Sequence, residues 1–244
     1  MENLSQTQQQ LLYLLSCALH ETAPEDAALE DVQWNELFSA AKAHSVSAMA
    51  CMALERTRTF AQADPAVRKQ WLDAKNKAVR RTMLMDADRR ILMDEMENAG
   101  IWHMPLKGSI LKDWYPQFGM REMGDTDILF DQARREQVRD IFLRMGYSAE
   151  RYYVDNHDVY RKPPIFNFEM HVALFNESVY ENLSEKYANV KDKLLPAPQK
   201  PYRVHFTQED FYVFILAHAQ KHYSHRGTGI RTLTDLYVMN QKIG

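Results

Sequence analysis

The chain has 244 residues, 45% of them hydrophobic and 26% charged, which excludes a disordered or fibrous protein and fits one large domain or a compact catalytic domain with a helical partner. Its 30 basic and 33 acidic side chains leave a formal charge of −3, which argues against a broad nucleic-acid-binding face while allowing a local basic patch. No apolar run approaches the ~20 residues needed to span a bilayer, the opening Met-Glu-Asn-Leu-Ser-Gln has no signal-peptide pattern, and Cys17 and Cys51 lack CxxC spacing. A cytoplasmic protein with buried free thiols and no membrane partner is expected.

Up to Gly100 the only helix breakers are Pro24, Pro65 and Gly100. Leu11, Leu12, Leu14, Leu15 and Ala18 mark a short helix, and Trp34, Leu37, Phe38 and Ala41 recur at helical spacing. From Val46 to Leu54 that helix either continues or restarts. A long helix is predicted from about Asp64, a capping residue followed by Pro65, to the stop at Gly100. Its methionines, Met83, Met85, Met93 and Met96, read as core or helix-interface packing.

After Gly100, residues 101–106 read as a strand ending in a tight Lys107-Gly108 turn, and residues 108–115 as a short helix. Thr126 to Phe130 reads as a second strand. A helix over 132–145 stops at Gly146. Two or three strands are expected between Ser148 and Phe175, the clearest being Phe166 to Leu174. From Thr207, a cap followed by Glu209 and Asp210, the chain is helical again, with a break at Gly227-Thr-Gly229 before a last helix. The order predicts an α+β chain: N-terminal helices (1–100), a small mixed sheet (101–200) and C-terminal helices (201–244).

Asp125 and Asp127 flank Thr126 at the start of the second strand, so both carboxylates project to one face. Such a pair repels unless a cation lies between them, and oxygen-only ligation suits Mg²⁺ or Mn²⁺; a solvated strand edge is the alternative. Alternation from Phe166 to Val172 puts Glu169 on one face together with Asn167 and His171. At Lys107-Gly108-Ser109 a glycine backbone, a hydroxyl and a point charge offer a phosphate cradle, although the Walker A spacing is absent.

Gly108-Ser109, a short helix, Asp125-x-Asp127 and a later strand acid resemble the DNA polymerase β-like nucleotidyltransferase superfamily. The string from Pro105 through Ser109 to Leu111, and from Arg121 to Leu129, is similar to a branch of uncharacterised bacterial nucleotidyltransferases with a Lys-Gly motif. Glu169-Met-His171, His218, Lys221, His222, Gly229-Ile-Arg231 and Asp235-Leu extend the resemblance. It implies a small mixed sheet of the polymerase β-like type. It also implies that Asp125, Asp127 and Glu169 are the catalytic acids and hold Mg²⁺ or Mn²⁺. Lys107, Gly108, Ser109, Arg121, Lys221 and Arg231 become candidate nucleotide-binding residues, with Arg121 able either to neutralise phosphate or to pair with the three site acids. The implied substrates are an NTP, ATP above all, and an unidentified hydroxyl acceptor, with pyrophosphate released. A nucleotide-binding relative without catalysis, acting as a sensor or interaction module, is the alternative, and a helical interaction protein with structural acids the third reading. Thr126 departs from the hydrophobic residue usual between the two acids, and the gap from Ser109 to Asp125 is longer than usual.

Other patterns carry weaker signals. His218, His222 and His225 share a helical stripe that suits zinc, helix packing or phosphate contact. His157-Asp158 is reminiscent of phosphohydrolase metal sites, but the helical framework those need is missing nearby. Tyr152, Tyr153 and Tyr160 suit either base stacking or burial.

Overall fold

The computed structural model describes residues 4–154, 156–175, 181–226 and 228–243, with the side chains of 181, 182, 222, 225 and 226 left out of the description. Ten α-helices occur among these residues: α1 Gln6–Leu19, α2 Trp34–Ala43, α3 Ser47–Leu54, α4 Arg58–Ala61, α5 Pro65–Asn98, α6 Gly108–Leu111, α7 Arg135–Arg144, α8 Glu181–Lys186, α9 Gln208–Arg226 and α10 Ile230–Ile243. Seven strands join them: β1 His103–Pro105, β2 Thr126–Phe130, β3 Ser148–Arg151, β4 His157–Lys162, β5 Phe166–His171, β6 Leu195–Ala197 and β7 Lys200–His205. The chain forms two compact units, one of Met1–Thr82, Leu111–Met123 and Arg226–Gly244, the other of Met83–Ile110 and Gly124–His225. They are defined by proximity in space and interleave along the chain, a property that division into consecutive segments does not address.

The first unit is helical. Ser5 and Gln8 close a capping box at the start of α1, so the polar Gln run lies inside the helix rather than before it. Ser45, at φ 55°, ends the stretch after α2, and α3 restarts as a separate helix. Leu11, Leu14, Leu37, Met49, Leu54 and Trp71 are fully buried together. The ring of Phe38 meets Trp71 edge-on at 5.0 Å. Cys17 and Cys51 are free and buried, and burial pushes the Cys51 thiol up to about 12.

The second unit is built on a mixed sheet in the order β3-β4-β5-β2-β1-β7-β6. β2 runs antiparallel to β1 and parallel to β5, while β4 runs antiparallel to β5. Ile128, Phe130, Phe168, Met170 and Tyr160 project to one face, where Val138, Ile141 and Phe142 of α7 and Leu92 and Met96 of α5 close the core. Phe142 stacks on Tyr160 at 4.0 Å between ring centroids. Tyr160 is therefore a core residue, whereas Tyr153 is exposed. The opposite face carries the residues between these apolar ones, which is what frees Asp127, Glu169 and His171 for chemistry.

Differences from the sequence reading have local causes. Met85, Met93 and Met96 are core, but Met83 is 58% exposed, because one stripe of a helix cannot bury successive odd positions alike. The short helix over 108–115 splits into α6 and a 3₁₀ turn over Lys112–Trp114. α7 ends with Gly146 at φ 81° and the amides of Gly146 and Tyr147 on the carbonyls of Leu143 and Phe142. The β6–β7 hairpin lies beyond the strands expected between Ser148 and Phe175 and includes Pro196 and Pro201. β6, with Pro196, is the edge strand, where proline is tolerated, and β7 joins β1 in parallel. The amide of Tyr202 donates to Glu97 of α5 at 3.2 Å. Thr207 caps α9 through the amide of Asp210 at 3.1 Å.

Candidate active site

β2 and β5 place the acids. In their parallel register Asp127 lies opposite Glu169 and Leu129 opposite His171. Asp125 precedes β2 by one residue and is half-buried. Asp127 is almost fully buried. One ligand atom from each of Asp127, Glu169 and His171 lies within 4.8 Å of the others, so these three form a group able to hold a metal ion. The imidazole came with the alternation that exposes Glu169, but sequence reasoning gave His171 no role.

The turn after β1 also reaches this cluster. Lys107 adopts φ 48°, the left-handed region, between β1 and α6. Its Nζ donates to Asp127 Oδ1 at 2.7 Å, and His171 Nε2 stands 2.7 Å from the same oxygen. An ionised carboxylate only accepts, so the imidazole N–H is the donor there. The amide of Leu106 donates to the carbonyl of Asp127 at 2.9 Å, tying turn to strand. Gly108 and Ser109 are buried, and the Ser109 hydroxyl has no hydrogen-bond partner among the described residues. The Ser109 amide donates to Leu106 at 3.1 Å and the Ile110 amide to Lys107 at 3.1 Å, so these amides close the turn itself. Arg89 of α5 reaches the Ser109 carbonyl at 3.4 Å and Asp86 at 3.0 Å.

The electrostatics of the two paired acids diverge. Burial would raise the Asp127 carboxyl, but Lys107 and His171 outweigh it and hold the group below the usual carboxylate range. Burial, then the charges of Asp127 and Asp125, push Glu169 upward. Asp125 thus acts on Glu169 through its field, and the three expected acids belong to one electrostatic neighbourhood. The donor set of carboxylates suits a hard divalent cation.

The family model described as "uncharacterised nucleotidyltransferase" matches residues 30–243. The chain belongs to this nucleotidyltransferase family. A crystal structure of an antigenic nucleotidyltransferase-like protein from Paracoccidioides brasiliensis is a distant likeness, at 11% identity and a TM-score of 0.40 over 62% of this chain and 73% of that chain. No curated protein matches the chain. No helix among the described residues is long and apolar enough to cross a membrane.

The other residues expected to serve this nucleotidyltransferase are placed as follows. Lys221 is exposed on α9 in the sheet unit. Arg121 and Arg231 belong to the helical unit. Arg121 pairs with Asp235, which is not one of the three expected site acids. Its Nε and terminal nitrogen reach Asp235 at 2.8 and 2.9 Å, and Tyr115 adds a 2.7 Å hydrogen bond to the same carboxylate. Arg231 donates to the carbonyl of Glu122 at 3.1 Å. The zinc reading of the α9 histidines involves side chains of His222 and His225 that lie outside the described residues. Asp158 is not a metal ligand: it is fully buried and held by Arg135 at 2.6 and 2.8 Å on the face away from Glu169.

Proposed function

We propose that this nucleotidyltransferase moves an NMP group from an NTP, with ATP as the first candidate, to a hydroxyl acceptor and releases pyrophosphate. The juxtaposition of Asp127 and Glu169 across β2 and β5, with Asp125 beside them, carries this reading. The acceptor oxygen bonds to the α-phosphorus, and the bond from that phosphorus to the bridging oxygen breaks with the electron pair leaving on pyrophosphate. Bound Mg²⁺ or Mn²⁺ would supply charge neutralisation for the triphosphate and a lowered pKa for the acceptor hydroxyl. Asp125, Asp127 and Glu169 would hold that cation. Glu169, on the strand beside Asp127, would take the acceptor proton. Lys107 would exchange Asp127 for a phosphate oxygen when the nucleotide arrives. The unpartnered Ser109 hydroxyl is a donor in waiting beside that lysine, with Gly108 keeping the turn free of a side chain.

Arg121 and Arg231 are assigned to the helical unit's own packing in this scheme, and Lys221 remains a proposed contact to phosphate. Thermal unfolding tests the binding step. Mn²⁺ with the preferred NTP at about 100 times its dissociation constant stabilises the folded state by about 2.7 kcal/mol. The melting temperature of the wild type should rise accordingly, and that of Asp125→Asn or Glu169→Gln much less. No shift with any of the four NTPs would remove nucleotide binding from the account.

A further inference from the structure

His171 distinguishes this cluster from a set of carboxylates. It sits two positions after Glu169 on the same face of β5, with its ring 5.3 Å from that of His157, its register partner on β4. The two rings are tilted 32° to each other, and His171 Nε2 stands 2.7 Å from Asp127 Oδ1. Donors around a small six-coordinate dication at ~2.1 Å lie roughly 3 Å apart when adjacent and about 4.2 Å apart when opposite. The ligand atoms of Asp127, Glu169 and His171 all lie within 4.8 Å of one another. Side-chain adjustment then brings the three onto one coordination sphere.

Magnesium favours oxygen donors, whereas imidazole suits first-row transition ions, and Mn²⁺ accepts carboxylates and imidazole together. We propose that His171 is a ligand of the site's cation, which makes the site a mixed nitrogen–oxygen one and selects Mn²⁺ over Mg²⁺. The inference rests on the metal-dependent reading above and goes further by naming the cation class and the residue that sets it. Ligation through Nε2 requires the tautomer whose N–H is on Nδ1, so the Nε2 proton is released as the ion enters, while Lys107 stays on Asp127 Oδ1 and keeps that carboxylate neutralised on one side.

The test needs neither nucleotide nor acceptor. The metal-free full chain is titrated with MnCl₂, followed by electron paramagnetic resonance, in competition with MgCl₂. Pulsed measurements then read directly bound nitrogen on the Mn²⁺. His171→Gln keeps an N–H that reaches Asp127 but removes the imidazole, and His157→Asn controls for the neighbouring ring, with circular dichroism confirming that each variant folds. Wild type should prefer Mn²⁺ and show bound nitrogen. His171→Gln should lose the nitrogen signal and lower the preference on the order of tenfold, while His157→Asn retains both. Mn²⁺ bound without nitrogen, or an unchanged Mn²⁺-to-Mg²⁺ ratio in His171→Gln, overturns the proposal. If Glu169→Gln abolishes binding in that case, the metal-dependent reading survives it. If neither cation binds any form of the protein, both fall.

Discussion

Asp127 and Glu169 are register partners on adjacent parallel strands, and the site drives their proton affinities in opposite directions. Asp127 has two partners on one oxygen, whereas Glu169 has burial and two negative neighbours. The pair is therefore asymmetric before any cation binds, which separates the consequences of neutralising each acid.

Glu169→Gln should raise the melting temperature of the cation-free protein at neutral pH. A carboxyl whose folded pKa is raised favours the folded state most below its unfolded value of ~4.3 and loses that advantage as pH rises through the folded value. The variant removes that loss. Unfolding followed between pH 4 and 8 should show the wild type losing stability relative to Glu169→Gln as pH increases, and a parallel pair of curves would refute the electrostatic origin.

Asp127→Asn should do the reverse. Its depressed folded pKa contributes stability that is present above ~3.9 and lost as pH falls through the folded value. Two neighbouring aspartates look mutually repulsive in sequence, but Lys107 and His171 turn Asp127 into the stabilised member. The variant should melt at a lower temperature than wild type at pH 7, and the gap should close in acid.

Lys107→Met should split two affinities. Without the ammonium on its Oδ1, Asp127 offers a fuller negative charge, so Mn²⁺ alone should bind more tightly. NTP affinity measured in saturating Mn²⁺ should weaken roughly tenfold, as expected for one lost charged hydrogen bond. Loss of both affinities together would show that Lys107 maintains the turn rather than meeting phosphate.

What the sequence conveys about this site is the part governed by period two. Alternation through β5 puts Glu169 and His171 on one face, and the two do lie together with Asp127, whereas Asp125 precedes the first residue of β2. Which strands adjoin, and in what register, depends on tertiary packing, so Asp127 opposite Glu169 was an expectation drawn from resemblance. The Lys107 bond depends on a left-handed backbone at a residue that rarely adopts it, and no local pattern signals that. The Arg121–Asp235 and Arg135–Asp158 pairs join positions remote in sequence, where only shared burial brings them together.

That last point has a direct consequence. Arg121 and Asp235 are each about nine-tenths buried, so Arg121→Ala leaves a carboxylate uncompensated and should cost about 3–5 kcal/mol in denaturant unfolding. Tyr115→Phe, which removes one hydrogen bond from that carboxylate, should cost about 1.5–3 kcal/mol. An Arg121→Ala protein of wild-type stability would mean that the arginine is held for another purpose.

The central claim is transfer of NMP, and the fate of the phosphates tests it most directly. The protein is incubated with Mn²⁺, a lysate as the source of acceptor, and each NTP labelled either at the α- or at the γ-phosphate. Label from the α-position should become attached to an acceptor, label from the γ-position should appear only in pyrophosphate, and Glu169→Gln should do neither. Attachment of the γ-label, or no attachment from any α-labelled NTP by a protein that binds Mn²⁺ and nucleotide, would contradict nucleotidyl transfer at this site.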